Sequence, residues 1–304
     1  MQHIVTGGAG FIGSHLVDSL VAQDYETTII DNLSTGKHVH KKAKFFKKDL
    51  RESTDIKIGN CSIIYHLAAN PDVKSSAIDT AEHFRSDVLT TINLMEFARK
   101  HDASKIIFSS SSVVYGENPV IPTPETAQLK PISNYGIFKL FCEMIIEHYS
   151  TLYGIDYSIL RFANVTGGRS EHGIVYDFAR KLKKDPKKLE ILGNGKQAKS
   201  YIYYDDAVSA LLLASRLKQN VYLNIGSSDT ISVTDIAKTV SKEAETDPKL
   251  IYIDKMNGRG WAGDVRKMRL SIKKAESLGW KPTRNSKEAI RLSARDAIGA
   301  LIKK

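Results

Sequence analysis

"HIVTGGAGFIG", His3 to Gly13, decides how this chain folds. "HIVTG" is a short apolar strand that runs into glycines. "FIGSHLVDSLVAQ" follows with apolar residues at Phe11, Ile12, Leu16, Val17 and Leu20, a helical repeat. Between them lie Gly8-x-Gly10-x-x-Gly13 and the overlapping Gly7-x-x-Gly10-x-x-Gly13. Either glycine pattern alone is weak; between a strand and a helix it gains a physical meaning. Residues without Cβ let the backbone turn tightly and approach a pyrophosphate, to which the helix N-terminus presents N–H groups and the positive end of its dipole. Asp31 closes the next strand, "TTIID", 18 residues beyond Gly13. A carboxylate there accepts hydrogen bonds from both adenosine ribose hydroxyls and repels a 2′-phosphate, which favours NAD over NADP.

Outward from this turn the first half alternates strand and helix. Further strands are expected at "KFFK", "SIIYHLA" and "KIIFSSS". Between the last two, "AEHFRSDVLTTINLMEFARK" carries a helical stripe through Phe84, Val88, Ile92, Met95 and Phe97. That rhythm predicts an α/β fold, a Rossmann-type doubly wound parallel sheet covered on both faces. After "DYSILRFANV" it breaks. "GIVYDFARKLKK", "DDAVSALLLASRL", "SVTDIAKTVSKEAE" and "SKEAIRLSARDAIGALI" are expected helices, with short strands at "LEILGNG", "KSYIYY" and "VYLNIG". This part is expected to be a smaller C-terminal α/β substrate domain. The expected division is 1–165 for the NAD-binding domain and 166–304 for the substrate domain, with the chain crossing between lobes.

Bulk properties bound the function. The 304 residues suffice for one large α/β unit or two ordinary domains, and 42% hydrophobic against 26% charged is a normal globular balance. No apolar run is long enough to cross a bilayer, and because Met1 leads almost directly into "HIVTG", no targeting segment is expected. Cys61 and Cys142 are the only cysteines, so no metal site is expected and the setting is expected to be reducing and cytoplasmic. Lys and Arg total 44 against 34 Asp and Glu, a net charge of +10. The densest basic run, Arg180 to Lys188, lacks interleaved aromatic residues for base stacking, so it reads as a solvated face rather than a nucleic-acid site.

Two further stretches carry chemistry. "IIFSSSSVVYG" ends the fifth strand in Ser109 to Ser112, and carboxyl ends of strands face the ligand crevice of such a sheet. One or more of these hydroxyls therefore point to where a nicotinamide lies. "SNYGIFKLFCE" puts Tyr135 and Lys139 one helical turn apart on one face. A phenol with an unperturbed pKa of about 10 is a poor base at neutral pH. A lysine ammonium and a cationic nicotinamide both favour the phenolate and pull that value down. Ala68 and Ala69, small residues just past the fourth strand in "HLAAN", let a cofactor pass close to the backbone, and Asp49 follows the third strand.

With these motifs in place the sequence resembles the extended short-chain dehydrogenase/reductase family and, within it, the UDP-glucose (UDP-galactose) 4-epimerases. "TGGAGFIGSHL", "DNLSTG", "HLAA", "FSSSSVVYG", "YGIFK", "RFANVTG" and "GDVR" with "LGWKP" carry the resemblance, from residue 2 to about 282. It implies a catalytic set of Ser111, Tyr135 and Lys139. It implies Gly7, Gly10, Phe11, Ile12 and Gly13 at the pyrophosphate and Asp31 at the adenosine ribose, followed by Asn32, Ser34, Thr35 and Gly36. Asp49 and Leu50 would flank the adenine. Leu67, Ala68, Ala69, Ser109 and Phe162 would complete the NAD site, together with Tyr135 and Lys139. Toward a UDP-sugar it implies Ser111 and Tyr135, with Asn164 at a phosphate or sugar oxygen, Asp264 at the uridine ribose, and Lys199 and Arg266 at the diphosphate. A homodimer built on the helices around Phe84–Phe97 and Tyr135–Tyr149 is also implied.

The sequence departs from the family pattern at three places. Trp261 stands where many relatives have arginine, leaving Arg259 or Arg266 to replace its charge; Lys199 stands where another phosphate-binding arginine is usual; and Asp87 stands where asparagine is usual. Dehydratases of the family need an Asp–Glu pair soon after the catalytic serine, and here those positions are Ser112 and Val113. Neither cysteine lies where C3/C5 epimerases need one. The expected reaction is interconversion of UDP-glucose and UDP-galactose through a 4-keto sugar. The alternatives are the same reaction on UDP-N-acetylhexosamines and net NAD-dependent oxidation of a sugar or another alcohol.

Overall fold

Strands that are apolar on both sides need cover on both faces, and the first half of the chain supplies a row of them. In the computed structural model, which describes residues 2–52, 56 and 63–302, these are β1 (Gln2–Thr6), β2 (Glu26–Asp31), β4 (Ile63–His66), β5 (Lys105–Ser111) and β6 (Asp156–Phe162). All are buried along most of their length. β3 (Lys44–Lys47) is exposed at both ends, as befits an edge. With β11 (Val221–Ile225) they form one seven-stranded sheet in the order β11-β6-β5-β4-β1-β2-β3. Registers are parallel from β3 through β2, β1 and β4 to β5. The direction of winding reverses between β1 and β4, and ligands of open α/β sheets bind outside the strand ends at such a switch. Thr6, Asp31, His66 and Ser111 close their strands on that side. Cys61 and Ser62 lie outside the described residues.

Helices α1 (Phe11–Ala22), α2 (Thr80–Phe84), α3 (Thr90–Lys100) and α4 (Asn134–Tyr153) belong to the same compact unit, made of 1–114, 133–161 and 208–223. Ile4, Ile64, Leu94, Phe97, Ile106 and Phe108 are at the heart of its core. Ser133 caps α4, its hydroxyl accepting the Gly136 N–H at 3.2 Å, and Gly154 at φ +71° ends it. The cap matters because Tyr135 and Lys139 occupy the first two turns. The expected single helix from Ala81 to Lys100 is instead interrupted by a π-helical turn at Arg85–Leu89. There the Thr90 hydroxyl donates to the Arg85 carbonyl (3.2 Å) and the Thr91 hydroxyl to that of Asp87 (2.7 Å).

Glu143 of α4 and Arg161 of β6 form a buried ion pair at 2.7 Å. Ser110 donates to the same carboxylate, and the Arg161 guanidinium lies over the Tyr222 ring at 4.7 Å. Removing one partner strands a charge out of water. Glu143→Leu is expected to cost about 3–5 kcal/mol, read as a lower thermal unfolding midpoint, and adding Arg161→Met should recover most of the loss.

The second unit comprises 115–132, 162–207 and 224–304. Its strands are β7 (Asn164–Thr166), β8 (Lys188–Leu192), β9 (Ala198–Lys199), β10 (Tyr201–Tyr203), β12 (Ile231–Ser232), β13 (Lys249–Ile253) and β14 (Lys267–Met268). They form small sheets: β10 beside β7, β12-β9-β14, and β13 parallel to β8. Helices α5 (Gly173–Lys184), α7 (Val233–Glu243) and α9 (Ser286–Ile302) enclose a core with Phe178, Leu189, Ile191, Ile236 and Ile290. Helix α6 (Tyr204–Arg216) starts in this unit and continues into the first, and α8 (Lys273–Ser277) is a short turn of helix.

Candidate active site

At the end of β1 the backbone turns at Gly7 (φ +69°), whose N–H donates to the Ile30 carbonyl at 2.9 Å. A Cβ on Gly7 would stand 2.7 Å from the Ala68 nitrogen, and one on Gly13 would drive into the Gly7 carbonyl oxygen. The turn is thus pressed between the backbone after β4 and α1 with no space for side chains. Helix α1 starts at Gly10 with no side-chain cap. An uncapped helix N-terminus behind a bare backbone turn is a cradle for a pyrophosphate, and these residues fit a dinucleotide. The Asp31 carboxylate accepts the Ala9 N–H (3.0 Å) on one oxygen and the Leu33 N–H (2.8 Å) on the other.

The loop after β2 folds back on this turn. The N–H groups of Lys37 and His38 both donate to the Ala9 carbonyl, and a Cβ on Gly36 would fall 2.5 Å from the Ala9 carbonyl carbon. Asn32 donates to Asp49 at 3.0 Å and accepts the Ser34 N–H at 3.0 Å; Ser34 and Thr35 are exposed. The Arg51 side chain, hydrogen-bonded to Asp49, holds that carboxyl well below the usual carboxylate range. Leu50 is buried, and its carbonyl accepts from Asn93 at 2.7 Å.

The four serines that end β5 are sorted by their partners. Ser109 donates to the His66 carbonyl (3.2 Å), Ser110 is taken by Glu143, and Ser112 is buried. Ser111 is the one whose hydroxyl lies close enough to the Tyr135 phenol to favour the phenolate. The Lys139 ammonium donates to the Ser109 carbonyl (3.3 Å) and lies 5.6 Å from the Tyr135 ring centre and 5.0 Å from that of Phe108. Burial opposes its charge, but the negative forms of Tyr135, Asp87, Cys142 and Glu143 outweigh that and raise its pKa. For Tyr135 the balance goes the other way from the sequence argument. Lys139 and Ser111 do pull the phenol down, but burial is larger and the net direction is up. A second positive charge beside the ring would favour the phenolate further.

Two features around this set had no functional reading in the sequence. His66 bridges Thr6 (3.0 Å) and Thr91 (2.9 Å), and burial lowers its pKa to about 3, so it links the glycine turn to the π-helical turn as a neutral ring. Cys142 is buried against Thr91 (3.1 Å), and burial pushes its thiol up to about 12, well outside the range of a nucleophile.

In the second unit Lys199 and Asp264 form an ion pair at 2.6 Å, and Asp264 also accepts the Gly260 N–H at 3.0 Å. Arg259 donates to the Asp264 carbonyl (2.9 Å) and to Glu117 (2.7 Å), and Arg266 is held by the same Glu117 at 3.0 Å. Glu117, absent from the sequence reading, thus gathers both arginines that could compensate for Trp261. Asn164 donates to the Ser200 carbonyl at 3.0 Å, one residue from Lys199, and Phe162 is buried at the end of β6.

A family model described as "NAD dependent epimerase/dehydratase family" matches residues 3–226. The chain belongs to that family. A UDP-glucose 4-epimerase of Mycolicibacterium smegmatis is 32% identical over 93% of this chain and 94% of its own. A solved UDP-galactose 4-epimerase superposes with a TM-score of 0.90 at 40% identity, covering 99% of this chain and 100% of that one. The UDP-glucose 4-epimerase of Thermus thermophilus in complex with NAD superposes at 0.87 with 31% identity, over 99% and 100%. This family member is an NAD-dependent enzyme of the UDP-glucose 4-epimerase-like kind, isomerases that act on nucleotide sugars. Among the described residues no helix is long and apolar enough to cross a membrane.

Proposed function

We propose that this enzyme interconverts UDP-galactose and UDP-glucose. The observation that carries the reading is the meeting of Ser111, Tyr135 and Lys139 at the end of β5, next in sequence to Ser112 and Val113 rather than to an acid pair. Ser111 holds the sugar O4 and Tyr135 takes its proton, with Lys139 offsetting the charge on the phenolate. Bound NAD supplies the hydride acceptor, and then donor, at C4. Tyr135 returns the proton once the 4-keto sugar has presented its other face. With nothing further to expel water from the sugar, a cycle that ends where it began is the simplest outcome. Gly7, Gly10 and Gly13 with the N-terminus of α1 would hold the pyrophosphate of NAD, and Asp31 its adenosine ribose.

The test is a coupled assay of UDP-glucose formed from UDP-galactose with no NAD added. Conversion supports the reading. Turnover only of N-acetylated sugars, or net NADH formation on an alcohol, would replace it by one of those activities.

On the substrate side, Lys199, Arg266 and Arg259 are proposed to meet the diphosphate, Asp264 the uridine ribose and Asn164 a phosphate or sugar oxygen. A lysine meets phosphate as a point charge rather than a fork. Lys199→Ala is expected to raise KM for UDP-galactose roughly tenfold, the size of one lost charge-assisted contact, with kcat nearly unchanged; steady-state kinetics read both. A homodimer is proposed on α4, where Ile137, Phe141 and Met144 are exposed in one stripe with Phe84 nearby on α2. Sedimentation velocity reads the assembly state directly, and a monomer at assay concentration would refute it.

A further inference from the structure

The π-helical turn buries a carboxyl group that the proposed reaction does not use. Asp87 is 1% exposed; one carboxyl oxygen accepts the Asn70 N–H at 2.9 Å, and the other has no hydrogen-bond partner among the described residues. The charged and titratable groups that face it are His83 from α2 and Tyr135, Lys139 and Cys142 from α4. An ionised carboxylate with a single hydrogen bond is costly to bury. It would also share the field of Lys139 and set a second negative charge against the Tyr135 phenolate. Burial accordingly raises the pKa of Asp87, more than Lys139, the Asn70 N–H and His83 lower it.

We propose that Asp87 is held as a neutral carboxylic acid, which leaves the charge of Lys139 to Tyr135 and makes Asp87 a positioning residue for the proton transfer. The kinetic part rests on the epimerase reading above; the protonation state does not. Loss of the Asp87 proton at high pH then disfavours the phenolate, so turnover rises with pH as Tyr135 ionises and falls again as Asp87 does. Asp87→Asn keeps the shape and cannot ionise.

The experiment pairs two readouts on the full chain, with circular dichroism to show that the variant is folded. Infrared difference spectra of wild type minus Asp87→Asn, with no substrate present, are expected to show a carboxylic-acid C=O band at neutral pH that disappears on alkalinisation. Turnover of Asp87→Asn is expected within about threefold of wild type at neutral pH, without the fall at alkaline pH. Carboxylate bands in place of the acid band, or a variant that loses tenfold or more across the range with the same profile shape, would overturn the proposal. If UDP-galactose is not turned over, the infrared arm still decides it. Should Asp87→Asn not fold, Asp87→Ser serves in the same spectra.

Discussion

Tyr135→Phe is expected to lower kcat on UDP-galactose by roughly 10²–10⁴-fold, the usual contribution of a positioned acid–base group. NAD content, KM and the unfolding midpoint should change little. The ring stays against Lys139, and only the hydroxyl facing Ser111 is lost. Burial raises the phenol in the protein itself, so in the proposed reaction charge would have to favour the base. Lys139 would supply one part and the nicotinamide ring, when bound, the other. Wild-type turnover should therefore climb with pH from the neutral region, and the residual rate of Tyr135→Phe should not. A phenylalanine variant that turns over normally would remove Tyr135 from the reaction.

Gly13→Ala is expected to abolish NAD retention, because the added methyl points into the Gly7 carbonyl oxygen, part of the backbone turn itself. No flexible side chain is available to yield, so the turn or α1 must move, at a cost of about 1–3 kcal/mol of overpacking that falls on the pyrophosphate cradle. The measurement is NAD released on denaturation of the purified variant, alongside its unfolding midpoint. Wild-type NAD content in a Gly13→Ala protein would show that this turn does not hold the cofactor. By contrast a methyl on Gly10, 3.2 Å from the same oxygen, should be tolerated better.

Much of this arrangement was legible from local pattern. Strand, glycine turn and helix in "HIVTGGAGFIG" lie where the periodicity put them, and Tyr135 and Lys139 share a face because one helical turn separates them. What stayed hidden depends on partners far along the chain. Four consecutive serines look alike in local pattern, and only the family resemblance pointed to Ser111; α4 and β4, bringing Glu143 to Ser110 and the His66 carbonyl to Ser109, give the physical reason. Asp87 stood out as an unusual residue, but its burial comes from a π-helical turn that apolar spacing cannot announce, since the stripe through Phe84 and Val88 suits an unbroken helix. "KLIYI", Lys249 to Ile253, went unread because a five-residue strand with little alternation becomes one only beside β8. "VYLNIG" was readable as a strand, but not as the seventh member of the large sheet. Glu117, lying 142 residues before Arg259, was likewise invisible as the carboxylate that gathers two arginines.

In the proposed reaction a hydride leaves C4 of the sugar and returns to the same carbon inside one site, with Tyr135 carrying the O4 proton. UDP-galactose deuterated at C4, incubated in ordinary water with no added NAD, tests it most directly. The UDP-glucose formed should keep its deuterium at C4. Product carrying solvent hydrogen at C4 would contradict it.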